Sequence, residues 1–253
     1  MTSLKDKIVL ITGASSGIGE ATAIKFAQSG ARLILAARRS ERIDKLVPKL
    51  GVPCLVRKLD VRNRADVERT ISELPPDWQE IDILVNNAGL ARGLTKIHEG
   101  DHVAWEEMLD TNVKGLLWVS RAVIPGMVKR NRGHIINIGS IAGHELYPAG
   151  NVYCASKFAV NALTKGMLID LVDTPIRVTT IDPGLVQTEF SEVRFSGDQE
   201  KASKVYQGYQ PLKGEDVAEA IVWATTRPAH VQIAEMIILP TAQAAAMVVH
   251  KKM

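Results

Sequence analysis

Residues 151–158 read NVYCASKF, which sets a tyrosine, a serine and a lysine within a few positions of one another and a cysteine directly after the tyrosine. The surrounding pattern is helical, so Tyr153 and Lys157, four apart, share one face about one turn from each other. A phenol beside an ammonium can act as an acid and a base. Free tyrosine, with a pKa near 10, is a poor proton donor or acceptor at neutral pH. A cation about 4 Å away contributes roughly 4 kcal/mol at an effective dielectric of about 20, worth about three pKa units, while desolvation acts the other way. Such a pair could protonate the oxygen on which charge builds when hydride adds to a carbonyl. Cys154 points about 100° round the helix with no histidine nearby, and reads as a small packed residue rather than a nucleophile. The competing reading of the Tyr–Lys pair is two residues on a wet helix face.

A hydride needs a carrier, and KIVLITGASSGIGEATAIKFA supplies a place for one. It runs from a buried strand through Gly13, Gly17 and Gly19 into an amphipathic helix. Glycines let the backbone turn sharply and approach a pyrophosphate, and the helix N-terminus offers free N–H groups and partial positive charge. Charge then selects the dinucleotide. An NAD site usually carries an acid at the end of the second strand, whereas a 2′-phosphate needs a cation there. After RLILAA come Arg38 and Arg39, with no acid before Glu41. A carboxylate would repel the phosphate and a guanidinium can grip it through two hydrogen bonds. The sequence therefore predicts NADP, clamped by Arg38 and Arg39 with help from Ser15.

These residues must be positioned by a framework, and short Val/Ile/Leu runs alternating with longer amphipathic ones describe a parallel sheet covered by helices. Strands are expected at 8–12, 32–36, 54–58, 83–86, 134–138, 177–181 and 235–239, and helices near 18–29, 41–50, 64–74, 103–129, 152–171 and 215–226. Pro125 should bend or end the fourth helix, and KRNR, Lys129 to Arg132, reads as its solvated last turn. No repeat or linker divides the chain, so the expectation is one domain over 1–253: an α/β Rossmann fold with a doubly wound, seven-stranded parallel sheet and helices on both faces.

Composition excludes several other classes. A chain of 253 residues that is 46% hydrophobic is not disordered, and 31 basic against 28 acidic residues is too even to imply nucleic acid or an anionic membrane as main partner. Cys54 and Cys154, a hundred positions apart, offer neither a disulfide framework nor a metal site. No apolar run approaches the roughly 18–20 residues that span a bilayer, so a soluble cytoplasmic protein is expected.

TGASSGIG, Thr12 to Gly19, and NNAG at the end of IDILVNNAG resemble the signatures of the classical short-chain dehydrogenases/reductases. Ser140 in NIGSIAG and Asn112 in DTNVKG, with Tyr153 and Lys157, complete that family's catalytic set. The resemblance implies that Tyr153 exchanges the proton and Ser140 holds the substrate oxygen. Lys157 would hold the nicotinamide ribose, and Asn112 a water linking Lys157 to solvent. It further implies cofactor contacts from Ser16, Ile18, Asp60, Val61, Asn87, Ala88 and Gly89. Pro183 and Gly184 would turn the chain toward the nicotinamide, with Val186 and Thr188 at the carboxamide and a substrate lid at about 188–213.

Across almost the whole chain the sequence is similar to the NADP-dependent 3-hydroxy acid dehydrogenases, which act on serine, allo-threonine and 3-hydroxypropionate-type acids; PGLVQTEFSEVRFSGD and PLKGEDVAEAIVWATTRPAHV carry much of this likeness. That branch implies a homotetramer built on the long fourth and fifth helices. A 3-hydroxy acid needs a cation for its carboxylate, and Arg194, then Arg92, are the candidates. The apolar tail TAQAAAMVVH could cover a neighbour or its own site. Two other functions stand beside this one: a broad carbonyl or 3-oxoacyl reductase, and a non-catalytic NADP-binding protein.

Overall fold

The first strand forms where IVLIT alternates its side chains between two faces, and the same alternation builds the whole sheet. A computed structural model describes residues 2–252. Its elements in order are β1 (Ile8–Thr12), α1 (Gly17–Gln28), β2 (Arg32–Ala37), α2 (Ser40–Leu46), β3 (Cys54–Lys58), α3 (Arg64–Ser72), β4 (Ile83–Asn86), α4 (His102–Leu109) and α5 (Leu116–Arg130). Then follow β5 (His134–Ile138), α6 (Asn151–Asp170), β6 (Arg177–Pro183), β7 (Val186–Gln187), α7 (Phe190–Arg194), α8 (Gln199–Lys204), β8 (Leu212–Lys213), α9 (Gly214–Thr225) and β9 (Glu235–Ile238).

Seven strands make one parallel sheet in the order β3-β2-β1-β4-β5-β6-β9. Val9 and Ile11 of β1 face one core with Phe26 of α1, Ile43 of α2 and Ile221 of α9. Ile8 and Leu10 face the other, with Val67 of α3 and Val119, Val123 and Met127 of α5. Burying each such side chain contributes about 1.5–3 kcal/mol, so both layers are fixed by the period-two pattern. The order reverses between β1 and β4, and a crevice opens there at the carboxyl ends of the strands, where open α/β sheets bind ligands.

All seven expected strands are present, shifted by no more than two residues at their ends. The expected helix at 103–129 differs. It is α4, then a π-helical turn over Asp110–Gly115, then α5, which passes through Pro125 and runs on to Arg130. Proline leaves only the Arg121 carbonyl without its helical donor, and Arg121 is exposed to water. The helix stops instead at Asn131, whose φ of 55° is left-handed. KRNR is also more than a solvated turn: Arg130 donates to the Ile81 carbonyl at 2.8 Å, and Arg132 pairs with Asp82 at 2.7 Å and Glu80 at 3.0 Å, anchoring the entry to β4.

β7 and β8 form a separate two-residue ladder, Val186 with Leu212 and Gln187 with Lys213. This clip closes the base of an excursion carrying α7 and α8. Among the described residues no helix is long and apolar enough to cross a membrane.

Candidate active site

At the carboxyl ends of β1, β4, β5 and β6 lies a cavity of about 590 Å³. The glycine loop forms one end. Gly13 has φ 67°, and a Cβ there would stand 2.9 Å from Ala88 Cα; a Cβ on Gly19 would collide with the Gly13 carbonyl. Only glycine allows this packing, which leaves a cradle at the start of α1 lined by Ser15, Ser16, Gly17 and Ile18. Thr12 staples the loop to the NNAG turn: its hydroxyl accepts from the backbone N–H groups of Asn87 and Ala88, both at 3.1 Å. The Asn87 amide in return donates to the carbonyls of Thr12 and Gly13 at 2.9 and 3.2 Å. Thr12 lies inside the recognised motif, but its stapling role has no sequence signal of its own.

The arginines after β2 are arranged differently from a two-residue clamp. Arg38 leans toward Glu107 at 3.5 Å. Arg39 donates to the Ser16 hydroxyl at 3.0 Å and to Glu189 at 3.3 Å. Arg42, absent from the sequence reading, grips the same Glu189 carboxylate at 2.7 and 2.9 Å. Its place in the first turn of α2, one turn after Arg38 and Arg39, was the available signal. Asp60 and Val61, just after β3, line the cavity, with the Asp60 carboxylate held by Arg62 at 2.6 Å. A glycine cradle at a helix start beside three guanidiniums fits a phosphorylated dinucleotide.

At the other end Ser140, Tyr153 and Lys157 line the same cavity. Ser140 begins a 3-10 turn, its hydroxyl accepting from Ala142 N at 3.1 Å and lying 3.5 Å from the Pro183 carbonyl. Lys157 is buried and donates to the Ile138 carbonyl at 2.8 Å, 6.0 Å from the Tyr153 ring centre. Burial pulls Lys157 down to about 8, against the nearby charge of Asp182. Burial also pushes the Tyr153 phenol well above its usual range, reinforced by Tyr147 and opposed by Arg194 and a hydrogen bond with Ser140. Of the expected balance between a nearby cation and desolvation, burial is the larger contribution in the chain by itself. In the chain by itself the phenol keeps its proton, and the cation working against its burial is Arg194, whose guanidinium carbon lies 5.2 Å over the ring.

Asn112 sits in the π-helical turn. Its amide exchanges two hydrogen bonds of 2.9 Å with the Leu90 backbone and donates to the Ser156 hydroxyl at 3.0 Å, tying the NNAG turn to α6. A Cβ on Gly89 would stand 3.3 Å from Asn112 Oδ1 and 3.8 Å from Lys157 Nζ, so glycine keeps the gap between amide and ammonium open. Cys154 is fully buried in the apolar cluster beside Tyr153, as a packed residue should be.

The substrate-side candidates separate. Arg194 lines the cavity, donates to Tyr147 Oη at 2.5 Å and to the Gly93 carbonyl at 3.3 Å, and among the described residues pairs with no acid. Arg92 is spent elsewhere: it pairs with Glu107 at 2.7 Å and donates to the Val193 carbonyl at 2.8 Å, away from the cavity wall. Thr188 packs on Gly17, and a Cβ on Gly17 would come 3.2 Å from the Thr188 Cβ. Val186 and Pro183 line the cavity with Gly184, which packs against Gln243 of the tail; Gln243 also accepts from Leu185 N at 2.9 Å. Ala246, Met247 and Val249 extend that wall, so the tail covers its own chain's site. Tyr147 and Gln243 were missed because no local spacing announces them.

A family model described as short chain dehydrogenase matches residues 7–199. The NADP-dependent 3-hydroxy acid dehydrogenase YdfG of Escherichia coli is 50% identical over 247 residues, covering 97% of this chain and 100% of that one. The NADP-dependent 3-hydroxy acid dehydrogenase of Schizosaccharomyces pombe is 43% identical over 257 residues, covering 100% and 99%. Among solved structures, the closed form of serine dehydrogenase complexed with NADP+ superposes with a TM-score of 0.93 at 50% identity, covering 97% of this chain and 100% of that chain.

Proposed function

This chain belongs to the short chain dehydrogenase family, and on that premise we propose that it is an NADP-dependent oxidoreductase interconverting a 3-hydroxy acid with its 3-oxo counterpart, with Tyr153 as acid and base. The observation that carries the substrate class is the meeting of Ser140, Tyr153 and the acid-free guanidinium of Arg194 in one cavity. In a 3-hydroxy acid the carboxylate carbon lies about 2.5 Å from the hydroxyl-bearing carbon. An oxygen on Ser140 and Tyr153 thus leaves the carboxylate within a guanidinium's reach. The names of the relatives, serine and 3-hydroxy acid dehydrogenases, support the same class.

When bound, NADP supplies the hydride chemistry. The residues that would hold it are the Gly13–Gly19 loop, Arg38, Arg39 and Arg42 at the 2′-phosphate, Asp60 and Val61 at the adenine, the NNAG turn, and Lys157 with the Pro183–Thr188 segment at the nicotinamide end. The chain's own part is the proton. Ser140 hydrogen-bonds the substrate oxygen. Tyr153, protonated at rest, donates to that oxygen in reduction and takes the proton back in oxidation, where Arg194 and Ser140 both favour the phenolate. Asn112 and the gap beside Gly89 would hold the water that links Lys157 to solvent.

Residues 188–213, from Thr188 to β8, act as the lid over the substrate, with the cytoplasm as the working compartment for an enzyme with two unpaired cysteines. Exposed Val103, Leu109, Val128, Phe158 and Ile169 on α4, α5 and α6, with Val172 just after α6, favour a homotetramer joined through these helices. The deciding experiment measures NADP+ reduction with serine, allo-threonine and 3-hydroxypropionate against uncharged alcohols and simple ketones in the reverse direction, NAD+ serving as control. Tyr153→Phe should abolish turnover and leave NADPH binding nearly intact. Preference for uncharged substrates, or substantial activity in Tyr153→Phe, would defeat the proposal.

A further inference from the structure

Lys157 is a buried cation on the cavity wall that makes no salt bridge among the described residues, and a buried ammonium without a nearby negative charge is costly. One acid stands close enough to matter. Asp182, fully buried in β6 just before Pro183, places its Oδ1 where a Cβ on Gly139 would stand, so any larger residue there would collide with it. Gly139 lies between Ser140 and Ile138, whose carbonyl accepts the Lys157 ammonium at 2.8 Å. The carboxylate therefore sits one peptide behind the acceptor of Lys157.

Asp182 is itself held from two sides. Thr180 donates to Oδ1 at 2.6 Å, and His144 Nε2 lies 2.7 Å from Oδ2. His144 closes the turn that Ser140 begins, and Asn161 of α6 donates to the Gly143 carbonyl at 3.2 Å. The segment carrying Ser140 is thereby clasped between Asp182 and α6. The charged and titratable groups around this clasp are Lys157, Tyr153 and Lys165 on α6, His144 after β5, and Glu235 on β9, which lies 3.9 Å from His144 Nδ1 and 3.8 Å from Lys165.

We propose that Asp182, held in place by His144, is the buried counter-charge of Lys157 and a positioning residue for the reaction proposed above, on whose reading this inference rests. Asp182 does not line the cavity; it acts through Lys157, which would lose its proton more readily without it. Two features outside the geometry agree. The one charge that opposes the burial of Lys157 is Asp182, and burial raises Asp182 in turn, against the hydrogen bonds from Thr180 and His144.

The test follows Lys157 directly, by NMR titration of protein labelled with ¹³C at the lysine ε-carbons, its resonance assigned with Lys157→Met. Alongside it runs the pH profile of kcat at saturating NADP+ and 3-hydroxypropionate. In Asp182→Asn the Lys157 midpoint and the alkaline limb of kcat should both fall by about one pH unit, while the dissociation constant for NADPH changes by less than about threefold. His144→Leu, at a half-buried position, should move both in the same direction by less, since a carboxylate stripped of one donor spends more of the pH range neutral; it also serves if Asp182→Asn does not fold. A Lys157 midpoint that stays put in these variants overturns the inference. A wild-type protein that turns over none of the substrates defeats the functional reading instead, and the NMR titration still decides the role of Asp182.

Discussion

Replacing Arg194 by methionine removes a charge while keeping most of the volume, and the consequence can be worked from the site. The guanidinium is already positioned, by Tyr147 Oη at 2.5 Å and the Gly93 carbonyl at 3.3 Å, so little ordering cost attends its capture of a carboxylate. A hydrogen-bonded pair with a charged partner contributes about 1.5–3 kcal/mol, so kcat/KM for 3-hydroxypropionate should fall by about ten- to a hundredfold. The methyl ester of the same acid has no charge to lose and should fall by less than about threefold. Because Arg194 also lies 5.2 Å over the Tyr153 ring and favours its phenolate, the rise of the oxidation rate with pH should move to higher pH for both substrates. The assay is initial-rate NADPH formation with acid and ester in parallel from pH 6 to 10. Equal losses for acid and ester would refute the carboxylate role, and an unmoved pH profile would refute the electrostatic one.

Three further outcomes are expected. Arg42→Ser should raise KM for NADP+ about tenfold and leave KM for NAD+ almost unchanged, because Arg42 and Arg39 share the Glu189 carboxylate beside the glycine cradle, where the 2′-phosphate is proposed to sit; equal shifts for both cofactors would remove Arg42 from the clamp. Gly19→Ala should weaken NADPH binding at least tenfold, read by fluorescence titration, since its new methyl group meets the Gly13 carbonyl. His134, buried and bonded to Thr179 at 2.8 Å, is held neutral by its burial, well below the ordinary 6.5. A base depressed in the folded state contributes stability above its unfolded pKa and loses it as pH falls. Urea unfolding should therefore show stability falling below pH 6.5 by up to about 1.4 kcal/mol per unit from this group, with a flatter dependence in His134→Asn.

The parts of this site that were legible in the sequence are those built within one element or one turn. The glycine loop, NNAG and the Tyr153–Lys157 pair each fix their geometry over a few residues, and the inner strands declare themselves by apolar runs buried on both faces, while the edge strands β3 and β9 are only partly buried. What escaped was made by distance along the chain. Glu189 meets Arg39 across 150 residues, Tyr147 meets Arg194 across 47 and Gln243 meets Leu185 across 58. No period or motif encodes those meetings, because each depends on where a loop lands after the sheet has formed. Arg92 was misjudged for the same reason: its charge was visible, its partner Glu107 was not. The π-helical turn at Asp110–Gly115 likewise coincides with the lock of Asn112 onto Leu90, a contact invisible in a helical pattern.

Seen together, the charges at the cofactor end explain why so basic a cluster should also be rich in acids. Arg38, Arg62 and Arg92 surround Glu107, whose carboxyl the hydrogen bond from Arg92 holds below its usual range despite burial. Asp60 faces Arg62, and Glu189 faces Arg39 and Arg42. Five guanidiniums thus stand against three carboxylates in this cluster, with Arg92 turned away from the cavity, so the cavity side keeps a positive surplus, and a phosphate monoester carries about two negative charges at neutral pH. The acids fix the guanidiniums in a fork that free side chains would lose to rotamer entropy. The excess of guanidiniums leaves this end short of negative charge, which the 2′-phosphate proposed to sit there would bring and a bare ribose would not. Arg194 obeys the same rule at the opposite end. It is held by a phenol and a carbonyl, which orient it without neutralising it, so its charge is left to offer to a carboxylate.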